Sequence, residues 1–248
     1  MLTQTIAALL LGQAPGAVLT SVQVGGVTRE SLVHLGSGKK RPVVFVFHGH
    51  GGTPGHAAYA YALQELWPEA VVIYPRGIDI ASPNSKQTAR GWQMAPGTAG
   101  DRDLKFFDAM LAKVKKELPV DSNRVFVCGM SNGGLFTFEL FHSRPKAIRA
   151  FAAVASGADR WLAQAKTPRP VFMVYGQGDP VVSSRTFSAT RDQLLRLNGC
   201  TAAKPWGKGF FRYPGKNGAD VITGVHSGGH DWPQGTSEAI VSFFKGFK

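Results

Sequence analysis

The chain is poor in cysteine: its 248 residues include two, Cys128 and Cys200. Two thiols cannot make the disulfide framework that staples small secreted domains. Nothing in the sequence brings them together, so the expectation is one thiol buried in a strand and one in a loop. Acidic charge is also in short supply. Sixteen Asp and Glu face 28 Lys and Arg, a formal net charge of +12. The basic residues are scattered, with short clusters such as 39–41 and 113–116. That distribution describes a solvated basic surface and argues against nucleic acid as a partner, although such a surface attracts anionic polymers or lipids. No apolar run is long enough to span a bilayer, so no integral membrane association is expected. Internal repeats and linkers are missing as well, which leaves one folded unit.

The N-terminus lacks a basic residue before Arg29. Ile6 to Leu11 is nonetheless a short apolar core followed by Ala14-Pro15-Gly16, a small-x-small site similar to the later parts of a secretory signal. Residues 1–20 are therefore expected to be signal-like or disordered and residues 21–248 to form the domain. The expected location is secreted or periplasmic, otherwise cytoplasmic.

Beyond that point strand and helix signals alternate. Val27 to Leu35 reads as an edge strand, and the continuous apolar run from Arg41 to Phe47 as a strand covered on both faces. Ala57 to Leu66 is helix-like, Ala70 to Tyr74 is a second buried strand, and Pro75 to Gly100 is a long loop, the kind that usually carries function. Phe107, Met110, Leu111, Val114 and Leu118 stripe a helix over 101–118, ended by Pro119. Strands follow at 125–129, 151–155, 171–175 and 221–225, with helices at 187–197 and around Ile240 to Phe247. This pattern predicts an α/β fold: a doubly wound, mostly parallel sheet with helices on both faces.

One turn stands out. The strand ending at Gly129 gives way to helical spacing after Gly134, and the turn between them holds Ser131 with glycine two residues to either side. This is the pattern of a nucleophile elbow, in which a sharp strained turn lifts the serine Oγ above the sheet. A serine needs a base, and the base needs an acid to orient it. Asp179 lies in a turn just past the 171–175 strand, with Asp159 and Asp220 as rivals. His230 lies in a glycine-rich loop past the 221–225 strand, with His226 as rival. The backbone donors for a developing oxyanion are the amide of Asn132 and that of His50 in His48-Gly-His-Gly-Gly-Thr, with Gly49 or Gly51 as substitutes. His48, His50 and His56 lack a carboxylate or cysteine to complete a metal site, so neither metal nor cofactor is expected. Trp92 and Trp232 are candidate walls of a substrate pocket, with simple packing as the alternative. Asp101 and Asp103 read as acidic residues suited to a helix start.

With these residues in place the chain resembles the α/β-hydrolase fold. Within it the resemblance is to esterases related to polyhydroxybutyrate depolymerases and feruloyl or acetylxylan esterases. The resemblance rests on His48-Gly-His-Gly-Gly-Thr, Arg124 to Gly134, Gly176-Gln-Gly-Asp-Pro-Val-Val and Gly228-Gly-His-Asp-Trp-Pro. It implies Ser131 as nucleophile, Asp179 as orienting acid and His230 as base. It also implies a serine esterase acting without cofactor on a carboxylic ester; a monomer is expected, and the basic surface allows a polymeric or anionic substrate. A peptidase or thioesterase of the same fold, or a silent polymer-binding relative, are the alternatives. Many polymer-attacking relatives carry an extra binding module and more cysteines, and neither feature is present in these 248 residues.

Overall fold

The apolar run Pro42 to Phe47 forms the buried length of β3 (Arg41–Phe47). The computed structural model describes residues 16–82, 87–158 and 162–247 and sets β3 inside a ten-stranded sheet. Before it come β1 (Ala17–Val24) and β2 (Val27–His34). After it come helices α1 (Pro54–Tyr61) and α2 (Leu63–Leu66), strand β4 (Val71–Pro75) and a separate hairpin of β5 (Ile78–Ala81) and β6 (Thr88–Gly91). Helix α3 (Arg102–Glu117), strand β7 (Val120–Met130), helix α4 (Asn132–Ser143), β8 (Ala150–Val154) and β9 (Val171–Gly176) follow. Helix α5 (Ser184–Asn198), β10 (Lys204–Trp206), β11 (Phe210–Tyr213), β12 (Val221–His226) and helix α6 (Thr236–Lys245) complete the order.

Across the sheet the strands run β1-β2-β4-β3-β7-β8-β9-β12-β11-β10. The six from β4 to β12 are parallel, and an antiparallel pair is added at each side. Alternate side chains of each parallel strand feed two cores. Val43, Phe45, Phe47, Val125, Val127 and Met173 pack under α3, α4 and α5. Val44, Val46, Phe126, Cys128, Phe172 and Val174 pack under α1, α2 and α6. Burial on both faces is why these strands carry no polar alternation.

The outer parts of the sheet differ from expectation. Val27 to His34 is not the edge: β1 covers it through a hairpin turned at Gly25 and Gly26, both with positive φ. A strand, not a loose tail, therefore occupies residues 17–20, while Ile6 to Leu11, Ala14 and Pro15 lie outside the described residues. Hairpin β10–β11 occupies a stretch that showed no strand signal, because its residues are exposed or half-buried and need no apolar pattern. The helix expected over 57–66 breaks at Ala62, which adopts φ 46°. The 75–100 loop contains the β5–β6 hairpin. Both cysteines are unpaired, Cys128 in the core and Cys200 half-buried.

Candidate active site

Strand β7 delivers the chain to Ser131, whose φ of 54° and ψ of −119° lie in a region that costs a non-glycine residue of order 1–3 kcal/mol. Close backbone approach holds it there. A Cβ at Gly129 would lie 2.4 Å from the Gly133 oxygen, and one at Gly133 would lie 2.2 Å from the Phe47 oxygen. The Ser131 amide donates to the Val154 oxygen of β8 at 2.9 Å. Strand and helix thus touch backbone to backbone, and the serine is the residue pushed out.

Two later strand ends bring the partners. The Ser131 Oγ lies 2.8 Å from Nε2 of His230, and Nδ1 of that ring lies 2.8 Å from Oδ2 of Asp179. An ionised carboxylate only accepts, so Nδ1 carries the proton and Nε2 is left to accept from the serine. The Asp179 side chain is fully buried, and its other oxygen accepts from the amides of Val181 and Val182 at 2.7 and 2.8 Å. Burial alone would raise its pKa. The Val182 amide, the His230 ring and the Val181 amide outweigh that and hold it below the ordinary aspartate value. The two loops are clasped by backbone bonds from Gln177 to His226 and from Gly178 to Gly228, and a Cβ at Gly176 would lie 2.1 Å from the Gly229 oxygen. The rivals are engaged elsewhere: His226 accepts the Gly228 amide and faces Asp231, and Asp220 pairs with Arg212. Asp159 lies outside the described residues.

On the oxyanion side, the Asn132 amide sits in the first turn of α4, where amides lack intrahelical acceptors. In the loop after β3, the Gly51 amide is taken by the Arg90 oxygen and the Gly52 amide by the Gly49 oxygen. Gly51 is thereby removed as a donor, leaving Gly49 and His50. The His50 ring is tied to the Ile80 oxygen at 3.0 Å. His48, almost fully buried, accepts the Gly77 amide at Nε2 and contacts the Gly49 oxygen through Nδ1 at 2.7 Å. Burial pushes its pKa down to about 4, against the upward pull of the Gly49 oxygen and with help from Arg90, Arg76 and His50. Among the described residues no three His, Cys, Asp or Glu side chains form a group that could hold a metal ion.

Beside the serine is a cleft of about 670 Å³. Met94, Leu135, Val181 and Val182 supply its apolar wall, and Ser156 and Thr186 its polar one. Neither tryptophan is among its lining residues. Trp92, a candidate pocket wall with packing as the alternative, is fully buried: it stacks on Phe136, meets Phe47 edge-on and donates from Nε1 to the His48 oxygen. With no surface left, it is a packing residue. Trp232, half-buried, stacks on Tyr61 with centroids 3.9 Å apart and donates to Ser237, which donates to the Tyr61 oxygen. It anchors the loop carrying His230.

Two supporting features escaped sequence reasoning. The Asn132 side chain accepts from the Trp92 amide and donates to the Trp92 oxygen, clamping the segment after β6 to the elbow. Next to it, the fully buried Asp103 pairs with the buried Arg29 of β2 and accepts the Gln93 amide, while the Gln93 side chain accepts the Asp103 amide. Asp103 therefore ties β2, α3 and the Trp92 segment together. The only sequence signal was an acidic residue at a helix start, which Glu65, Asp101 and Glu238 match equally well.

The family model for phospholipases and carboxylesterases matches residues 29–206, from β2 through the elbow to β10. The chain belongs to the phospholipase/carboxylesterase family. This family member is similar to feruloyl esterase D of Neurospora crassa, at 32% identity over 170 residues, 65% of this chain and 54% of that protein. It thus spans about half the length of that curated relative. It is also similar to the bifunctional acetylxylan esterase/xylanase XynS20E of Neocallimastix patriciarum, at 30% identity over 113 residues, 46% of this chain and 15% of that protein. An acetyl xylan esterase from Aspergillus awamori has a similar structure, with a TM-score of 0.70 at 16% identity, covering 93% of this chain and 100% of that one. That likeness establishes the α/β-hydrolase fold for the family member described here.

Proposed function

We propose that the chain is a serine esterase that cleaves carboxylic esters through an acyl-enzyme. Ser131 Oγ attacks the carbonyl carbon while its proton passes to His230 Nε2. The Asp179 carboxylate, bonded to Nδ1, stabilises the imidazolium, and the amides of Asn132 and His50 donate to the oxyanion. Collapse of the tetrahedral intermediate breaks the ester C–O bond, and the departing alkoxide takes the proton back from His230. A water deprotonated by the same nitrogen then attacks the acyl carbon, and the acyl C–Oγ bond breaks as His230 returns that proton to Ser131 Oγ, releasing the carboxylic acid and the free serine. The observation that carries this reading is the unbroken relay of two 2.8 Å contacts from a strained serine to a buried carboxylate.

A cleft of about 670 Å³ with Met94, Leu135, Val181 and Val182 along it is larger than an acetyl group requires, which favours bulkier acyl groups such as feruloyl. The feruloyl and acetylxylan esterases among its relatives support esters of plant polysaccharides as the substrate class. Ser131→Ala is expected to abolish hydrolysis of p-nitrophenyl butyrate and labelling by a fluorophosphonate probe while leaving the thermal midpoint unchanged. Undiminished turnover in that variant would sink the assignment. Rates across acetyl, butyryl, feruloyl and hydroxybutyrate-oligomer esters then rank the acyl groups, and matched amides and thioesters separate an esterase from a peptidase or thioesterase.

A further inference from the structure

The loop that carries His230 leaves β12 at His226, the last residue of that strand, and between the two histidines stand Ser227, Gly228 and Gly229. Two of those three residues are glycines, and a glycine-rich link has little stiffness of its own. The base must nevertheless be held in place, because a misplacement of about 1 Å can cost about a hundredfold in rate.

The side chain of His226 supplies that hold. Its Nδ1 accepts the Gly228 amide at 3.1 Å, closing a turn like the one an asparagine side chain makes with the amide two residues on. The amide hydrogen needs a lone pair, so Nδ1 is bare and the ring proton sits on Nε2. That nitrogen faces Oδ1 of Asp231, the residue after His230, at 3.4 Å but without a hydrogen bond to it. Space is tight as well: a Cβ at Gly228 would lie 2.9 Å from Nδ1 of His226 and 3.0 Å from Oδ2 of Asp231. The bond to Gly228 is therefore the firm contact, and the ring closes over the loop from there to Asp231.

Gly228 is also where the base loop meets the acid loop. Its oxygen accepts the Gly178 amide at 2.9 Å, one residue before Asp179, while the His226 oxygen accepts the Gln177 amide at 2.8 Å. The residue that His226 grips by its nitrogen thus grips the Asp179 loop by its oxygen.

We propose that His226 is a positioning residue for the base: through the Gly228 amide it sets the loop conformation in which His230 reaches both Ser131 and Asp179, a role that rests on the serine esterase reading. With its ring turned onto the loop, His226 acts through His230 and not on the ester. Three variants separate the hydrogen bond from the bulk of the ring. His226→Asn keeps an acceptor for the Gly228 amide and loses the ring, His226→Phe keeps a ring and loses the acceptor, and His226→Ala loses both. With p-nitrophenyl butyrate, His226→Phe and His226→Ala are expected to lower kcat about tenfold or more with KM within about twofold of the wild type, whereas His226→Asn stays within about threefold in kcat. Labelling of Ser131 by a fluorophosphonate probe, which calls on the same base, is expected to slow in parallel, and thermal midpoints of the same samples show that each variant is folded. Full kcat in His226→Phe, or a kcat in His226→Asn as low as in His226→Ala, would overturn the positioning role while the wild-type label on Ser131 upheld the esterase. No label on the wild-type serine would instead overturn the esterase reading, and this role with it.

Discussion

At the scale of single residues, the proposed nucleophile is shaped by what surrounds it as much as by its own chemistry. Ser131 keeps its positive φ because Gly129 and Gly133 let strand and helix close to contact. Gly133→Ala puts a Cβ 2.2 Å from the Phe47 backbone oxygen, where no flexible side chain can give way. Backbone strain of that kind is expected to remove about 3 kcal/mol or more of stability, read as a lowered urea midpoint. Trp232 is a positioning residue in this account. Trp232→Ala frees the His230 loop from Tyr61, and a misplaced base is expected to lower kcat by roughly tenfold or more with little change in KM. Trp232→Phe keeps the stacking surface and is expected to recover most of the loss. Equal kcat in all three proteins would show that the stack does not position the base.

At the scale of elements, Asp103 joins three of them. The carboxylate compensates a guanidinium with almost no exposure that also sits 4.2 Å over the Phe106 ring. Removing one partner of a buried pair strands the other charge, so Asp103→Asn is expected to cost about 3–5 kcal/mol, measured by denaturant unfolding. Arg29→Met with Asp103→Asn removes both charges and is expected to restore part of that loss. The β5–β6 hairpin matters for a related reason. It leads into the Trp92 segment that Asn132 clamps, and its Ile80 oxygen holds the His50 ring. A stretch legible only as a long loop is in fact a brace between His50 and Asn132, the two proposed oxyanion donors.

For the whole molecule, pH dependence follows from what is buried. His48 has a folded pKa of about 4 against an ordinary 6.5. The unfolded chain therefore binds a proton first as pH falls. The stability this group contributes is complete above pH 6.5 and is lost between 6.5 and about 4, by roughly 3 kcal/mol. Asp179, its pKa lowered, adds a loss below the ordinary aspartate range. Buried Cys128, Tyr61 and Tyr74 have their pKa values raised, so the unfolded chain ionises first in alkali and stability falls there too. A plateau in thermal midpoint between about pH 6.5 and 8.5 is expected. His48→Asn is expected to flatten the slope between pH 6.5 and 4, and an unchanged slope would remove His48 as its cause.

Ser131 between its glycines, Asp179 and His230 were all legible in the chain because each is announced locally. A buried strand is a short apolar run, its end is a cluster of turn residues, and the reactive side chain stands in that cluster. The sequence by itself thus determined the alternating α/β order, the doubly wound sheet and the candidate residues at its strand ends. Only the tertiary structure decided between neighbours of equal local merit. It set His230 rather than His226 against Ser131 and Asp179 rather than Asp220 against His230, turned Trp92 inward, tied the Gly51 amide to the Arg90 oxygen, and made Asp103 and Asn132 into ties between distant segments. It also placed β1 outside β2 and added β10–β11, strands too exposed to need an apolar pattern. The physical reason is the same in each case: periodicity records which face a residue buries, whereas hydrogen-bond partners and strand neighbours are chosen between segments far apart in sequence.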